Sequence, residues 1–311
     1  MLVTCPEDVK APLLLHLNKN NGLNKSIAPV GKWSGIYTSL EIKRAIELGY
    51  KFSYHKCVYF NSKLIFNSYV DYYYNMKKNS DKNSSSYIIS KLMLNSLYGR
   101  FGMSPYLDKH TIIDSCDLVK FSNDNEITSI LPLSDDKELV SFQNNSFIDN
   151  EGSSTLCNIA IAAAVTAGAR VFMSYFKNMD GYKLYYSDTD SIDIDKPLPE
   201  EFVGQELGQF KLEHVFDEAV YLAPKMYGGK TADYEYVRIK GLKNPIPFDE
   251  LLKLLQKGNS LVKDNQKWYK KIGEGHIFIK NEIYTLSITD SKRQLLFDQN
   301  NKFYDTKPIK L

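Results

Sequence analysis

The chain has 311 residues, enough to bury a substantial core. Its formal net charge of +2 excludes a globally basic nucleic-acid footprint and leaves only local ones. Cys5, Cys57, Cys116 and Cys157 stand far apart with no CxxC, which argues against a zinc site and for a reducing compartment.

Residues 1–35 show little period beyond Leu13-Leu14-Leu15 and a polar turn from Asn18 to Lys25. They carry neither a secretory apolar region nor an Arg-rich presequence. A helix is predicted over 39–48, capped by Ser39 and stopped by Gly49. Residues 50–66 read as a pair of strands. A helix beginning in 70–76, a polar tip over 77–86 and a second helix over 87–98 make an antiparallel helical hairpin. Lys77, Lys78 and Lys82 at its tip either meet phosphates or are simply solvated.

Residues 104–155 are polar, with β-prone runs at 111–113, 127–133 and 139–142. The longest apolar run, 156–171, is broken by Asn158, Thr166 and Arg170. It reads as a buried helix continuing to Tyr175, and no stretch reaches the length of a membrane span. Residues 183–194 read as strand, tight turn, strand, and 220–225 with 234–239 as further strands. Beyond Lys240 come two helical stretches, 249–257 and 260–271, and then short strands. Lys240, Lys243, Lys253, Lys257, Lys263, Lys267, Lys270 and Lys271, interleaved with Trp268 and Tyr269, form either a solvated helical face or a grip on duplex phosphates.

The richest chemistry lies in Tyr186-Ser187-Asp188-Thr189-Asp190-Ser191. Residues i and i+2 near a strand project to one side, so Asp188 and Asp190 are expected to point together. Adjacent carboxylates repel unless a cation neutralises them, and a hard ion such as Mg²⁺ does so while binding substrate phosphates. Asp also forms turns for purely local reasons, so the pair alone leaves a solvated loop open. Ser90 to Arg100 adds a second signal. Lys91, Asn95 and Tyr98 fall at i, i+4 and i+7, one helical stripe carrying a cation, an amide and a ring, with Gly99 as the expected helix stop. A cation suits a triphosphate, and a tyrosine suits stacking against a base or sugar.

These motifs, in this order, resemble family B DNA polymerases. Lys91-x-x-x-Asn95-Ser96-x-Tyr98-Gly99 is similar to the family's fingers-helix motif, and Tyr186 to Ser191 to its palm metal motif, YxDTDS. Lys225-Met226-Tyr227 resembles the KxY motif of the protein-primed members, and Lys240-Gly241 the passage from palm to thumb. Val30 to Tyr37 and Glu41 to Tyr50 look like the stretch preceding the fingers. Tyr284-Thr285-Leu286, Lys292-Arg293 and Asp305 to Pro308 resemble polymerases of linear fungal mitochondrial plasmids.

The resemblance implies an α+β right-hand fold. Residues 1–69 would be partial palm and pre-fingers region, 70–103 fingers, 104–155 a β-rich insertion, 156–240 palm with the metal hairpin, and 241–311 thumb. The insertion is either the strand-displacing hairpin arm of the protein-primed subgroup or a plain β connection. Asp190 and Asp188 would hold Mg²⁺ in a two-metal site. Lys91, Asn95, Tyr98 and Gly99 would bind the incoming deoxynucleoside triphosphate. Lys225, Tyr227, Lys240 and Gly241 would hold the primer–template DNA, with a terminal protein as a further partner and no membrane. Location follows as mitochondrial, with the cytoplasm as alternative.

The family's first palm motif, DxxSLYP, is absent upstream of Gly31-Lys32-Trp33, and neither Asp8 nor Ser39-Leu40-Glu41 supplies its pattern. The expectation is a carboxy-terminal polymerase fragment, nearly inactive alone. The rival expectations are a remnant that only binds DNA, another DxD transferase, and an RNA-copying enzyme with a similar palm.

Overall fold

The computed structural model describes residues 1–19, 24–104, 108–143, 157–242, 246–271 and 275–311. Helices and strands are mixed throughout, as in an α+β protein. They gather into two compact units. Met1–Lys56, Ala167–Lys267 and Asn281–Leu311 form the first, and Cys57–Thr166 with Trp268–Lys280 the second.

In the first unit, Leu2–Cys5 is the central strand of an antiparallel sheet, between Gly31–Ser34 and Lys51–Ser53. Val3 and Cys5 enter a core with Leu13, Leu14, Val30, Trp33, Ala45 and Tyr50. The region with little sequence period thus supplies one of the unit's packed cores. Its strands are three or four residues long, too short for alternation to stand out. Residues 309–311 run beside Gly31–Ser34: Val30 N donates to Ile309 O and Leu311 N to Val30 O, both at 2.9 Å. Gly31 has φ +99°, and a Cβ there would collide with the Leu311 carbonyl, so this approach needs glycine.

The first helix, Ser39–Glu47, is capped by Thr38 rather than Ser39. Glu41 N donates to Thr38 Oγ1 at 3.4 Å, while the Glu41 carboxylate accepts from Thr38 N at 3.3 Å. This reciprocal box needs an extended residue three before a glutamate, and Thr38 is that residue. Of the predicted strand pair over 50–66, only Lys51–Ser53 forms. It has Leu2–Thr4 as partner, and nothing among the described residues pairs with the rest.

Helix Ile159–Lys177 corrects two expectations. It is half exposed, burying Ala167, Met173, Ser174 and Phe176 while Ile159, Val165, Phe172 and Tyr175 face outward. By length and composition alone it is also apolar enough to cross a membrane. Its polar contacts are those of a helix packed on protein. Arg170 pairs with the buried Glu41 at 2.8 Å, and Arg44 Nε donates to Ser174 Oγ at 2.9 Å.

A second sheet of this unit comprises Glu218–Ala223, Met226–Lys230 and Glu235–Ile239, all antiparallel. Val220, Leu222, Met226, Val237 and Ile239 on its inner face pack with Phe248, Leu251 and Leu254. The latter come from the short helix Phe248–Leu252 and the 3-10 turn Lys253–Leu255, where a helix over 249–257 was expected. The predicted helix over 260–271 is instead the strand Leu261–Lys271, paired with His276–Leu286. The basic residues there therefore lie on a two-stranded ribbon. Lys263 is paired with Glu250 at 2.9 Å. Lys243 lies outside the described residues.

The second unit contains the helical hairpin Asn67–Lys78 and Ser85–Phe101. Ser84 caps the second helix, its hydroxyl accepting from Tyr87 N at 3.2 Å. Gly99 does not stop the helix, which runs on to Phe101 with Gly102 as C-cap. Three strands follow, Lys109–Asp114, Glu126–Pro132 and Lys137–Gln143, with the last in the middle. They correspond to the three predicted β-prone runs. Residues 144–155 of the expected insertion lie outside the described residues.

Candidate active site

Strands Leu184–Asp188 and Ser191–Ile194 form an antiparallel hairpin whose register closes at Ser191 opposite Asp188. Two residues, Thr189 and Asp190, make the turn. Thr189 has φ 58°, a left-handed conformation that costs a non-glycine residue roughly 1–3 kcal/mol and persists only where its surroundings hold it. Local hydrogen bonds hold it: Ser191 Oγ donates to Asp188 O at 3.1 Å, and Thr189 Oγ1 to Asp188 Oδ1 at 3.2 Å.

A second tight turn meets this tip. Ala223 and Met226 pair across Pro224 and Lys225, and Lys225 has φ 60°. Its amide donates to the Tyr186 hydroxyl at 2.8 Å, and its ammonium makes a short ion pair with Asp188 Oδ2. The hydrogen bond from the Lys225 ammonium holds the Asp188 carboxyl below the usual carboxylate range, and Asp188 in turn raises the Lys225 ammonium. Asp190 is exposed and forms no hydrogen bond or ion pair with a described residue.

The surrounding groups are aromatic. Tyr186 packs against Tyr227 at 4.9 Å between centroids. Burial pushes the Tyr227 phenol up to about 12 and likewise raises that of Tyr186. Tyr221 donates to Asp193 Oδ1 at 3.1 Å, and burial raises the Asp193 carboxyl against the lowering effect of that bond. Lys177, half-buried, is lowered by desolvation and feels the charge of Asp188. Lys240 N donates to Lys225 O at 2.9 Å, and Gly241 turns with φ 88° while its carbonyl accepts from Asn265 Nδ2 at 2.9 Å.

Folding therefore brings together Asp188, Asp190, Lys225, Tyr227, Lys240 and Gly241 within the first unit. Lys91, Asn95, Tyr98 and Gly99 lie together on the exposed stripe of Ser85–Phe101 in the second. Tyr221, Asp193, Tyr236 and Arg238 were not singled out from sequence. The alternation Tyr234-x-Tyr236-x-Arg238, ahead of Lys240, was the available signal.

Asp188 and Asp190 supply the hard oxygen donors a divalent cation prefers. Among the described residues, however, no three or more His, Cys, Asp or Glu side chains gather at one point. Asp188 is already neutralised by Lys225. The donor chemistry suits the ion and the donor number falls short, so the described residues do not by themselves make a metal site.

Comparison with known proteins gives the class as DNA polymerase. Residues 2–180 match the organellar and viral type B DNA polymerases, and the chain belongs to that family. It is similar to a "Probable DNA polymerase" of Neurospora intermedia, 35% identical over 287 residues that cover 90% of this chain and 29% of that protein. One from Ascobolus immersus is 33% identical over 318 residues, covering 99% and 26%. One from Podospora anserina is 34% identical over 334 residues, covering 93% and 27%. The chain thus spans less than a third of the length of these curated relatives. No solved structure matches it significantly.

Proposed function

We propose that the chain is part of a protein-primed type of family B DNA polymerase, extending a primer 3′-hydroxyl in the replication of a linear plasmid-like DNA. The observation that carries this is the contact between Lys225 of the Lys-Met-Tyr motif and Asp188 of the acidic hairpin, 37 residues apart in sequence. The motif expected to hold the primer end sits on the motif expected to hold metal.

In this proposal Asp190, open to solvent, is the principal ligand of Mg²⁺, and Asp188 the transient one because Lys225 competes for it. When bound, the ions would stabilise the attacking and leaving oxygens of the in-line displacement. Lys91 neutralises charge on the triphosphate, and Asn95, Tyr98 and Gly99 line its pocket. Lys225 and Tyr227 orient the primer end, while Lys240 and Gly241 carry the DNA path onward from palm to thumb. The right-hand division into fingers, palm and thumb, the terminal-protein primer and the mitochondrial location rest on the resemblance to plasmid polymerases. The further carboxylate comes from polypeptide outside the described residues.

The test is Mg²⁺-dependent nucleotide incorporation on a recessed primer–template, by the chain alone and by the chain supplemented with polypeptide carrying DxxSLYP. Loss of a charged metal ligand removes orders of magnitude in rate, so the chain alone should be nearly silent and the supplemented one active. Asp190→Ala should abolish that activity. Ordinary polymerase rates from the chain alone would refute the missing-ligand account. Failure to bind primer–template at all would refute the polymerase role. A second reading, a remnant that binds DNA without chemistry, is favoured by the short donor set. It predicts salt-sensitive DNA binding unchanged by Asp190→Ala and no activity on supplementation.

A further inference from the structure

The outward face of the three-stranded sheet is covered with rings. Register places Tyr221, Tyr227 and Arg238 in one cross-strand row and Ala219, Gly229 and Tyr236 in the next. Tyr186 lies nearly parallel to Tyr221, with centroids 5.5 Å apart and planes 14° apart. Tyr221 and Tyr227 follow at 6.0 Å and 23°. Gly229 leaves its place open, and the Phe216 ring fills it so closely that any Cβ there would collide. His214 extends the surface, its ring 4.1 Å from that of Tyr236.

The inner face of the same sheet is filled by Val, Leu, Met and Ile. The contrast matters, because a second core layer would be filled the same way. The outer face instead carries amphipathic tyrosines with cations at its margin. Arg238 holds its guanidinium 4.4 Å over the Tyr236 ring and donates from Nε to the Tyr236 hydroxyl at 3.0 Å. Neither Arg238 nor Lys240 forms a salt bridge among the described residues. Half-buried rings and unneutralised cations on one face complement a strand of bases and phosphates.

We infer that this face is a stacking platform for a single nucleic-acid strand, with Tyr236 and Arg238 as contacts beyond the motif residues. The platform begins at Tyr186, two residues before Asp188, and so delivers a strand to the acidic tip. The inference rests on the polymerase proposal for the same site.

The test is fluorescence anisotropy of a labelled oligothymidylate titrated with the full chain at several salt concentrations. Tyr236→Ala, which removes the ring beneath the Arg238 guanidinium, should weaken binding about tenfold, while Tyr236→Phe, which keeps that ring, should bind as wild type. Arg238→Gln, an exposed change that leaves the rings in place, should lower the salt slope by about 0.7 for one lost phosphate contact on a single strand. If the wild-type chain binds and all three variants bind equally well with the same slope, the platform is refuted and the polymerase proposal stands. If the wild-type chain binds neither this strand nor primer–template, both fall together.

Discussion

Lys225 places its ammonium on the carboxylate of Asp188, while its own backbone amide is held by the Tyr186 hydroxyl. The lysine thereby occupies the position a metal ion would need at that carboxylate. Lys225→Ala should therefore tighten binding of Mn²⁺ to the chain about two- to fivefold, the scale of a half-exposed ion pair. Electron paramagnetic resonance of free Mn²⁺ reads this directly. Equal or weaker binding by the variant would remove the competition between lysine and metal from the account.

The Asp193 carboxyl titrates differently. Burial raises it above its unfolded value, so protonation favours the native state: its contribution is full below the unfolded pKa and lost as pH rises through the raised folded value. Asp193→Asn keeps an oxygen to accept from Tyr221 and removes the charge. The variant should gain thermal stability relative to wild type as pH rises from about 4 toward neutrality. Melting curves across that interval check it, and a constant difference would show that Asp193 does not carry the pH dependence.

Gly31→Ala should be among the most damaging single changes. It places a Cβ on the Leu311 carbonyl and demands φ +99° of an L residue, a combination costing about 3 kcal/mol. Urea denaturation should show the midpoint falling without a large change in slope. A loss under about 1 kcal/mol would mean that residues 309–311 are not held on this sheet in solution.

Glu41 is nearly inaccessible, caps its own helix through Thr38 and pairs with Arg170. Glu41→Ala removes the box and leaves Arg170 half-buried without its carboxylate, at a cost of about 2–3 kcal/mol. Glu41→Gln preserves the cap geometry and should lose less. Equal losses in the two variants, measured by denaturation, would place the effect in the charge paired with Arg170 rather than in the cap hydrogen bonds or packing.

The sequence was most legible where chemistry and local structure coincide. Asp188-Thr189-Asp190 is a tight turn because two short strands close on it. The helix Ser85–Phe101 carries its polar stripe where 3.6-residue spacing puts it. Legibility failed where pairing overrides local preference. Leu261–Lys271 is rich in helix-tolerant Lys and Gln, yet β-favouring Val262, Trp268 and Tyr269 and the Ile-Phe-Ile run at 277–279 make it a strand. The aromatic platform was hidden for another reason. Its rings come from the acidic hairpin, the segment at His214 and three strands, and only register sets them side by side.

The order in which this protein is made has a consequence for how it matures. Arg293 donates to the carbonyl of Lys10, 283 residues earlier, and residues 309–311 take their place beside Gly31–Ser34. On a translating ribosome the edge of that first sheet therefore waits, with open amide and carbonyl groups, until residues 309–311, far later in the sequence, emerge. A nascent chain in that state is adhesive toward other strands, and contacts between distant segments form slowly. Yield in a foreign host should depend more on shielding during synthesis than on the stability of the finished fold. Slower translation with holding chaperones should recover more folded protein than any single stabilising substitution.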